Sequence, residues 1–145
     1  MIDNTTGSNN VALGSSSMYS NTTGGDNVVL GNSAYYNNNG SYNTIIGSSA
    51  GLQSPTNSSG NVFIGYRAGY YETGSNKLII GNNWNGTGSR LISGDFSTGK
   101  VTIDSVLKLE QLASPPSSPT QGEIYVGTDN HIYCYLGGLW KQLDN

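Results

Sequence analysis

The stretch "GNVFIGYRAGYYETGSNKLIIGN" (residues 60–82) holds two apolar triplets, 62–64 and 78–80, each closed by a glycine. A half-buried strand alternates between an apolar and a polar face. These triplets do not alternate, although the chain around them is crowded with Asn, Ser, Thr and Gly. The same signature stands upstream in "NNVALG", "DNVVLG" and "YNTIIG". The closing glycines, Gly14, Gly31, Gly47, Gly65 and Gly81, are 17, 16, 18 and 16 residues apart. Three residues after the glycine comes a small residue: Ser17, Ala34, Ala50 or Ala68. Five residues after it comes a large one: Tyr19, Tyr36, Leu52 or Tyr70. Turn-forming strings such as "NTTGGD", "NNNGSY" and "NSSG" close the units.

A period of about 17 residues is too short for a helical solenoid, whose units run to about 30 or more. It suits one coil of a parallel β-roll, with coils stacked at the strand spacing so that each strand pairs above and below. The repeat glycines are the expected corners, because Gly adopts positive φ without steric cost. Asn10, Asn27, Asn43 and Asn61 precede the triplets, and Lys77 takes that place in the last unit. They are read as a stacked corner ladder rather than a row of ligand-binding amides. Side chains alternate between the two faces along each triplet. The first and third residues, such as Val62 and Ile64, are expected inside the coil. The middle ones, Ala12, Val29, Ile45, Phe63 and Ile79, are then expected outside, as an apolar column that grows along the chain. Soluble monomers avoid such stripes, so this column is the expected interface of a symmetric homo-oligomer.

Composition agrees with a thin core completed by a partner. Of 145 residues, 34% are hydrophobic and 10% charged, with 21 glycines and a formal charge of −3. Disordered chains combine low hydrophobicity with high net charge and few aromatics, whereas ten tyrosines and two tryptophans are present here. The six Lys and Arg residues are scattered singly from Arg67 to Lys141, which argues against a nucleic-acid partner. Cys134, the single cysteine, excludes an intrachain disulfide framework. No apolar run reaches transmembrane length, so no membrane insertion is expected. No secretory signal precedes the repeat, which suits a fragment, a mature form or a protein released by lysis.

Strings of "N-x-V-x-I-G-x-x-A-G-x" separated by "N-T-T-G" turns resemble the head repeats of trimeric autotransporter adhesins and the related repeats of phage tail fibres. The matching stretch is 3–84, clearest in "NTTGGDNVVLGNSAYYN" and in residues 60–82. "LISGDFSTGKVTI" (91–103) resembles the segment that closes such arrays. "SPPSSPTQGEIYVGTDNHIYCYLGGLWKQLD" (114–144) resembles a small β-hairpin module near the ends of fibre proteins. The resemblance implies a homotrimer of parallel β-rolls, with a role in fibre structure and surface attachment, and other virion or fibre proteins as partners. The first unit departs from the pattern with Ser17 and Met18 where later units have Ala-Gly. The fifth breaks down after Gly81, where Trp84 suits a cap over the last coil.

The expected organisation is a β-roll over 1–89, connecting strands over 90–113, and a C-terminal β-hairpin or meander module over 114–145. "GDFSTGKVTID" reads as two strands about a turn at 97–99. "SVLKLEQL" favours a strand, with a short helical trimer neck as the alternative. Pro115, Pro116 and Pro119 make "ASPPSSPTQG" a loop. "EIYV", "HIYCYL" and "LWKQL" read as a three-stranded antiparallel meander.

Catalysis finds no support in these residues, and no cofactor or metal is expected. His131 and Cys134, at i and i+3 on a strand, project to opposite faces. Asp95, Asp104, Glu110, Glu123 and Asp129 lack paired-carboxylate spacing. "GTGS" (86–89) has no following helix to complete a phosphate cradle. Sequons at Asn4, Asn21, Asn39, Asn57 and Asn85 follow from the turn composition and are not read as glycosylation sites. Tyrosine among Asn and Ser suits glycans: rings stack on sugar faces, and amides pair with hydroxyls. Tyr36 and Tyr70 are read as covering the coil edge or trimer groove. Tyr66, Tyr71, Tyr133 and Trp140 are the candidates for contact with a surface ligand, either a cell-surface glycan or another receptor.

The expected function is that of a phage tail or capsid fibre on the virion surface, attaching to the host cell through glycan contacts. The alternatives are a bacterial surface adhesin head domain, or a passive spacer with no ligand. An ice-binding solenoid would want a flat Thr array where this chain offers Tyr.

Overall fold

The computed structural model describes residues 3–54, 56–82 and 90–144. Within them the fold is all-β, with no helix. It divides into two units, 1–106 and 107–145.

The first unit is a β-roll built on a seven-stranded sheet in strict chain order. β1 (Val11–Leu13), β2 (Val28–Leu30), β3 (Thr44–Ile46), β4 (Val62–Ile64) and β5 (Lys77–Gly81) are parallel neighbours. Their register follows the repeat: Ala12 opposes Val29, Val29 opposes Ile45, Ile45 opposes Phe63, and Phe63 opposes Ile79. The segments after the strands stack as well. Met18 N–H donates to Ala34 C=O (3.0 Å), Tyr35 N–H to Ala50 C=O (2.9 Å) and Gly51 N–H to Ala68 C=O (3.0 Å). Coil-to-coil pairing thus satisfies backbone groups on more than one side of the roll, as burial requires.

Gly14, Gly31, Gly47, Gly65 and Gly81 carry φ between 121° and 159°. A Cβ on Gly14 would lie 2.5 Å from the carbonyl oxygen of Gly31, and one on Gly47 2.2 Å from that of Gly65. The corners are therefore glycine for two reasons, backbone conformation and the closeness of the next coil.

The phase of the triplets is the reverse of the one expected. Val29, Ile45 and Phe63 are fully buried within the single chain, Ile79 is nearly so, and Ala12 packs against the same cluster. They form the core of the roll and cannot line a contact between chains. Val11, Leu13 and Val28 are exposed; Leu30, Ile46, Val62, Ile64, Leu78 and Ile80 are half-buried. The ladder asparagines set this phase. Asn27, Asn43 and Asn61 are buried, and two residues on, along the same face of the strand, stand Val29, Ile45 and Phe63.

The growth of the inner column has a steric partner across the coil. Ala12, Val29, Ile45 and Phe63 enlarge in order, while the residue four after the corner runs Met18, Tyr35, Gly51, Gly69. Met18 and Tyr35 are fully buried beside the smaller strand residues. At Gly69 an added Cβ would lie 2.5 Å from the Phe63 ring; at Gly51 it would meet Tyr35 at 3.0 Å and Phe63 at 3.4 Å. Each coil fills its interior with one large and one small side chain, which keeps packing near native density.

The parallel stack ends in an antiparallel hairpin. β6 (Arg90–Asp95) pairs with β5 through a bulge at Ile80/Gly81, and β7 (Lys100–Ile103) pairs with β6. These strands extend the roll's own sheet, so the segment expected to connect two modules (90–113) is divided between the two units. The Trp84 cap expected from the sequence lies outside the described residues.

In the second unit, β9 (Ile124–Gly127), β10 (Ile132–Leu136) and β11 (Leu139–Gln142) form an antiparallel meander, and β8 (Gln111–Leu112) adds to β9 in parallel. Only 111–112 of "SVLKLEQL" is strand, and no neck helix forms there. The core of this unit is Cys134 with an aromatic group. Tyr125 stacks on Tyr133 at 5.0 Å, and Trp140 sits 4.7 Å from Tyr125 and 5.3 Å from Tyr135.

Candidate functional site

The most regular polar feature is the asparagine ladder. Asn10 Oδ1 accepts from the backbone N–H (3.1 Å) and Nδ2 (3.0 Å) of Asn27. Asn27 Oδ1 accepts likewise from Asn43, at 3.0 and 2.9 Å. Asn43 Oδ1 takes Asn61 N–H at 2.9 Å, and Asn61 Oδ1 takes Lys77 N–H at 2.9 Å. The four side-chain carbonyls are thus consumed by neighbouring coils and are not presented to a ligand. Lys77 has no side-chain carbonyl with which to continue the ladder. It turns its ammonium to Asp95 Oδ2 at 2.6 Å instead, and Asn61 Nδ2 is buried without a partner among the described residues. This ion pair and the Ser97 hydrogen bonds hold the Asp95 carboxyl well below the usual range; Asp95 raises the Lys77 ammonium above its own.

A second column, Asn4, Asn21 and Asn38, was hidden in the turn strings. Asn21 Nδ2 donates to Asn4 Oδ1 (3.1 Å) and to Gly24 C=O (3.0 Å), and Asn38 Nδ2 donates to Ser58 Oγ (3.0 Å). Asn21 and Asn38 are buried. The spacing of 17 between them was the available signal, but "NTTGG" reads first as turn chemistry. Burial also removes Asn21 as a sequon. Tyr35, in the same interior, donates its hydroxyl to Ser58 C=O, and burial pushes that phenol up.

Among the surface candidates, Tyr66 and Tyr71 fall together on the fourth coil. Arg67 packs against two rings there, its guanidinium carbon 5.5 Å from the centroid of Tyr66 and 5.0 Å from that of Tyr70. Tyr70 and Tyr71 meet edge to face at 4.6 Å, and Tyr71 is exposed. On the first two coils Tyr19 and Tyr36, in the same column as Tyr70, stack in parallel at 4.8 Å. Tyr133 and Trp140 belong to the second unit and are engaged in its aromatic group. The Tyr133 hydroxyl donates to Asp129 Oδ2 at 2.5 Å, which pushes the phenol up to about 12 and draws the carboxyl down.

His131 precedes β10 and faces Asp144 (3.5 Å) and Gln142 (3.0 Å) rather than Cys134, which is buried. No group of three or more His, Cys, Asp or Glu residues able to hold a metal exists among the described residues. A groove of about 320 Å³ at β5–β7 is bordered by Lys77, Arg90 and Lys100 with Glu72 and Asp95. "GTGS" (86–89) and Asn85 lie outside the described residues. No described helix is long and apolar enough to cross a membrane.

No protein-family model, curated protein or solved structure matches the chain.

Proposed function

We propose that the chain is a homotrimeric fibre module, a structural and adhesive part of a phage tail or capsid fibre. The observation that carries this reading is the outer face of the five parallel strands. Nine of its ten residues are apolar and the tenth is Thr44; none is charged. Parallel sheets are normally covered on both faces. The inner face is covered by the chain's own coils, whereas Val11, Leu13 and Val28 are 54%, 69% and 39% exposed. The corrected phase therefore keeps an apolar stripe on the surface but gives it to the first and third residues of each triplet. An uncharged face that repeats coil by coil suits copies of itself, packed side by side about a common axis. The resemblance to trimeric fibre repeats supports three copies and a place at the virion surface, where the tyrosine-bearing corners would serve host attachment.

Sedimentation equilibrium at micromolar concentration tests the assembly, with a mass three times that of the chain expected. Ile46→Lys, which places a charge at the middle of the outer face, is expected to give a monomer with unchanged far-UV circular dichroism. A wild-type monomer, or a trimer indifferent to this substitution, refutes the proposed interface.

A further inference from the structure

The fourth coil departs from its neighbours in a concentrated way. One residue after the corner the other described coils carry Ser15, Asn32, Ser48 and Asn82, and the fourth carries Tyr66. Two after it, Ser16, Ser33 and Ser49 give way to Arg67. Six after it, Ser20, Asn37 and Gln53 give way to Tyr71. The scaffold does not need these changes. Ser16, Ser33 and Ser49 hold φ of 55°, 51° and 56°, and Arg67 holds 54°. A long cationic side chain has been placed in a left-handed position that serine fills elsewhere, a conformation unfavourable for any non-glycine residue.

Arg67 is also the sole Lys, Arg, Asp or Glu between Asp26 and Glu72. No ion pair of Arg67 is found among the described residues, and its Nε is buried without a hydrogen-bond partner there. The guanidinium is held instead against the Tyr66 and Tyr70 rings, an arrangement that orients it without neutralising it. Glu72, the nearest acid in sequence, directs Oε1 to the backbone N–H groups of Thr73 (3.1 Å) and Gly74 (3.0 Å). By contrast, Lys77 is already paired with Asp95. An oriented guanidinium with no ion pair among the described residues, resting on a Tyr70 ring that itself meets the exposed Tyr71 ring, has the chemistry of a saccharide site with an acidic group: the fork takes a carboxylate and the exposed ring takes a sugar face.

We propose that Arg67, with Tyr66, Tyr70 and Tyr71, forms a binding site for a carboxylate-bearing saccharide. The inference deepens the attachment reading above and rests on it. Saturation-transfer NMR and calorimetry on the full chain would use three probes: tri-galacturonate, its neutral methyl ester, and a phosphorylated hexose. The triacid is expected to bind about tenfold or more tightly than its ester, as one charge-assisted pair predicts. Arg67→Ser, which restores the residue of the other coils, is expected to abolish that preference without altering circular dichroism. Tyr71→Gln is expected to weaken acid and ester alike. Equal affinity for acid and ester, an Arg67→Ser variant that keeps the preference, or tighter binding of the phosphate would overturn the carboxylate site. Equal binding leaves attachment to glycans standing, whereas a wild-type chain that binds none of the three probes overturns the site and leaves the trimeric fibre reading to the sedimentation test.

Discussion

Gly69→Ala tests whether the interior of the roll is filled by complementary pairs. Two costs arise. Gly69 sits at φ 63°, where an alanine pays about 1–2 kcal/mol. The new methyl would also lie 2.5–2.6 Å from three atoms of the Phe63 ring, and overpacking of that kind costs about 1–3 kcal/mol. Together they amount to about 2–5 kcal/mol, a large share of the 5–15 kcal/mol that holds an ordinary domain. Gly51→Ala supplies the control. Its φ is 59°, so the backbone cost is shared, but its methyl approaches Tyr35 only to 3.0 Å. Denaturation in urea, followed by far-UV circular dichroism at fixed protein concentration, should therefore rank Gly69→Ala below Gly51→Ala. Phe63→Leu should rescue the first variant and not the second. A double-mutant cycle for Phe63→Leu with Gly69→Ala is expected to show a favourable coupling of about 1–3 kcal/mol. Additivity within about 0.5 kcal/mol, or equal losses for both glycines, would refute the pairing of large with small across the coil.

Two further predictions concern the polar column and its end. Asn43→Ala removes the acceptor of Asn61 N–H and the donor to Asn27 Oδ1, and a stranded buried donor costs about 1–3 kcal/mol. Asn43→Asp keeps the acceptor but sets a carboxylate against Asn27 Oδ1, which raises its pKa on folding. Its stability should be present in acid and lost as pH rises, and a loss independent of pH would refute the ladder's polarity. For the terminal hairpin, Asp95 has a folded pKa below its ordinary value, so its contribution holds above the usual carboxylate range and is lost on acidification. Lys77, raised on folding, contributes below the usual lysine range and loses that contribution as pH rises through its folded pKa. Protection of the β6 and β7 amides, relative to their intrinsic exchange rates, should therefore fall at both extremes, and Asp95→Asn should remove the acid limb; matching acid profiles for variant and wild type would refute the ion pair's role.

The parallel roll was legible because the repeat is carried by backbone demands. A corner glycine that must admit the next coil's carbonyl, and a strand that must pair in register, leave little choice of residue. The C-terminal meander was legible for a similar reason, through alternation and turn residues in "EIYVGTDNHIYCYLGGLW". Other features were hidden because their determinants lie far apart in the chain. The hairpin of 90–103 was readable as two strands about a turn, but its membership of the roll rests on long-range pairing such as that of Ile79 with Ser93, which its own residues do not display. The fourth coil's Tyr66, Arg67 and Tyr71 were visible as residues, but their grouping required the coil geometry that brings a guanidinium onto two rings.

The phase of the triplets shows most clearly where local reading stops. With both faces apolar, alternation alone gives "VFI" two equivalent solutions, and counting apolar residues per face favours putting two inside. A polar residue decides the matter. An asparagine that bonds to the coils above and below must lie within the stack, and two residues on its strand neighbour shares that side. Asn61 thereby commits Phe63 to the interior, and Gly69 becomes the residue that makes room for it. Val62 and Ile64 are left outside. The apolar surplus that first suggested a subunit interface in 60–82 remains, but it belongs to the flanking residues, and the interface is sought there.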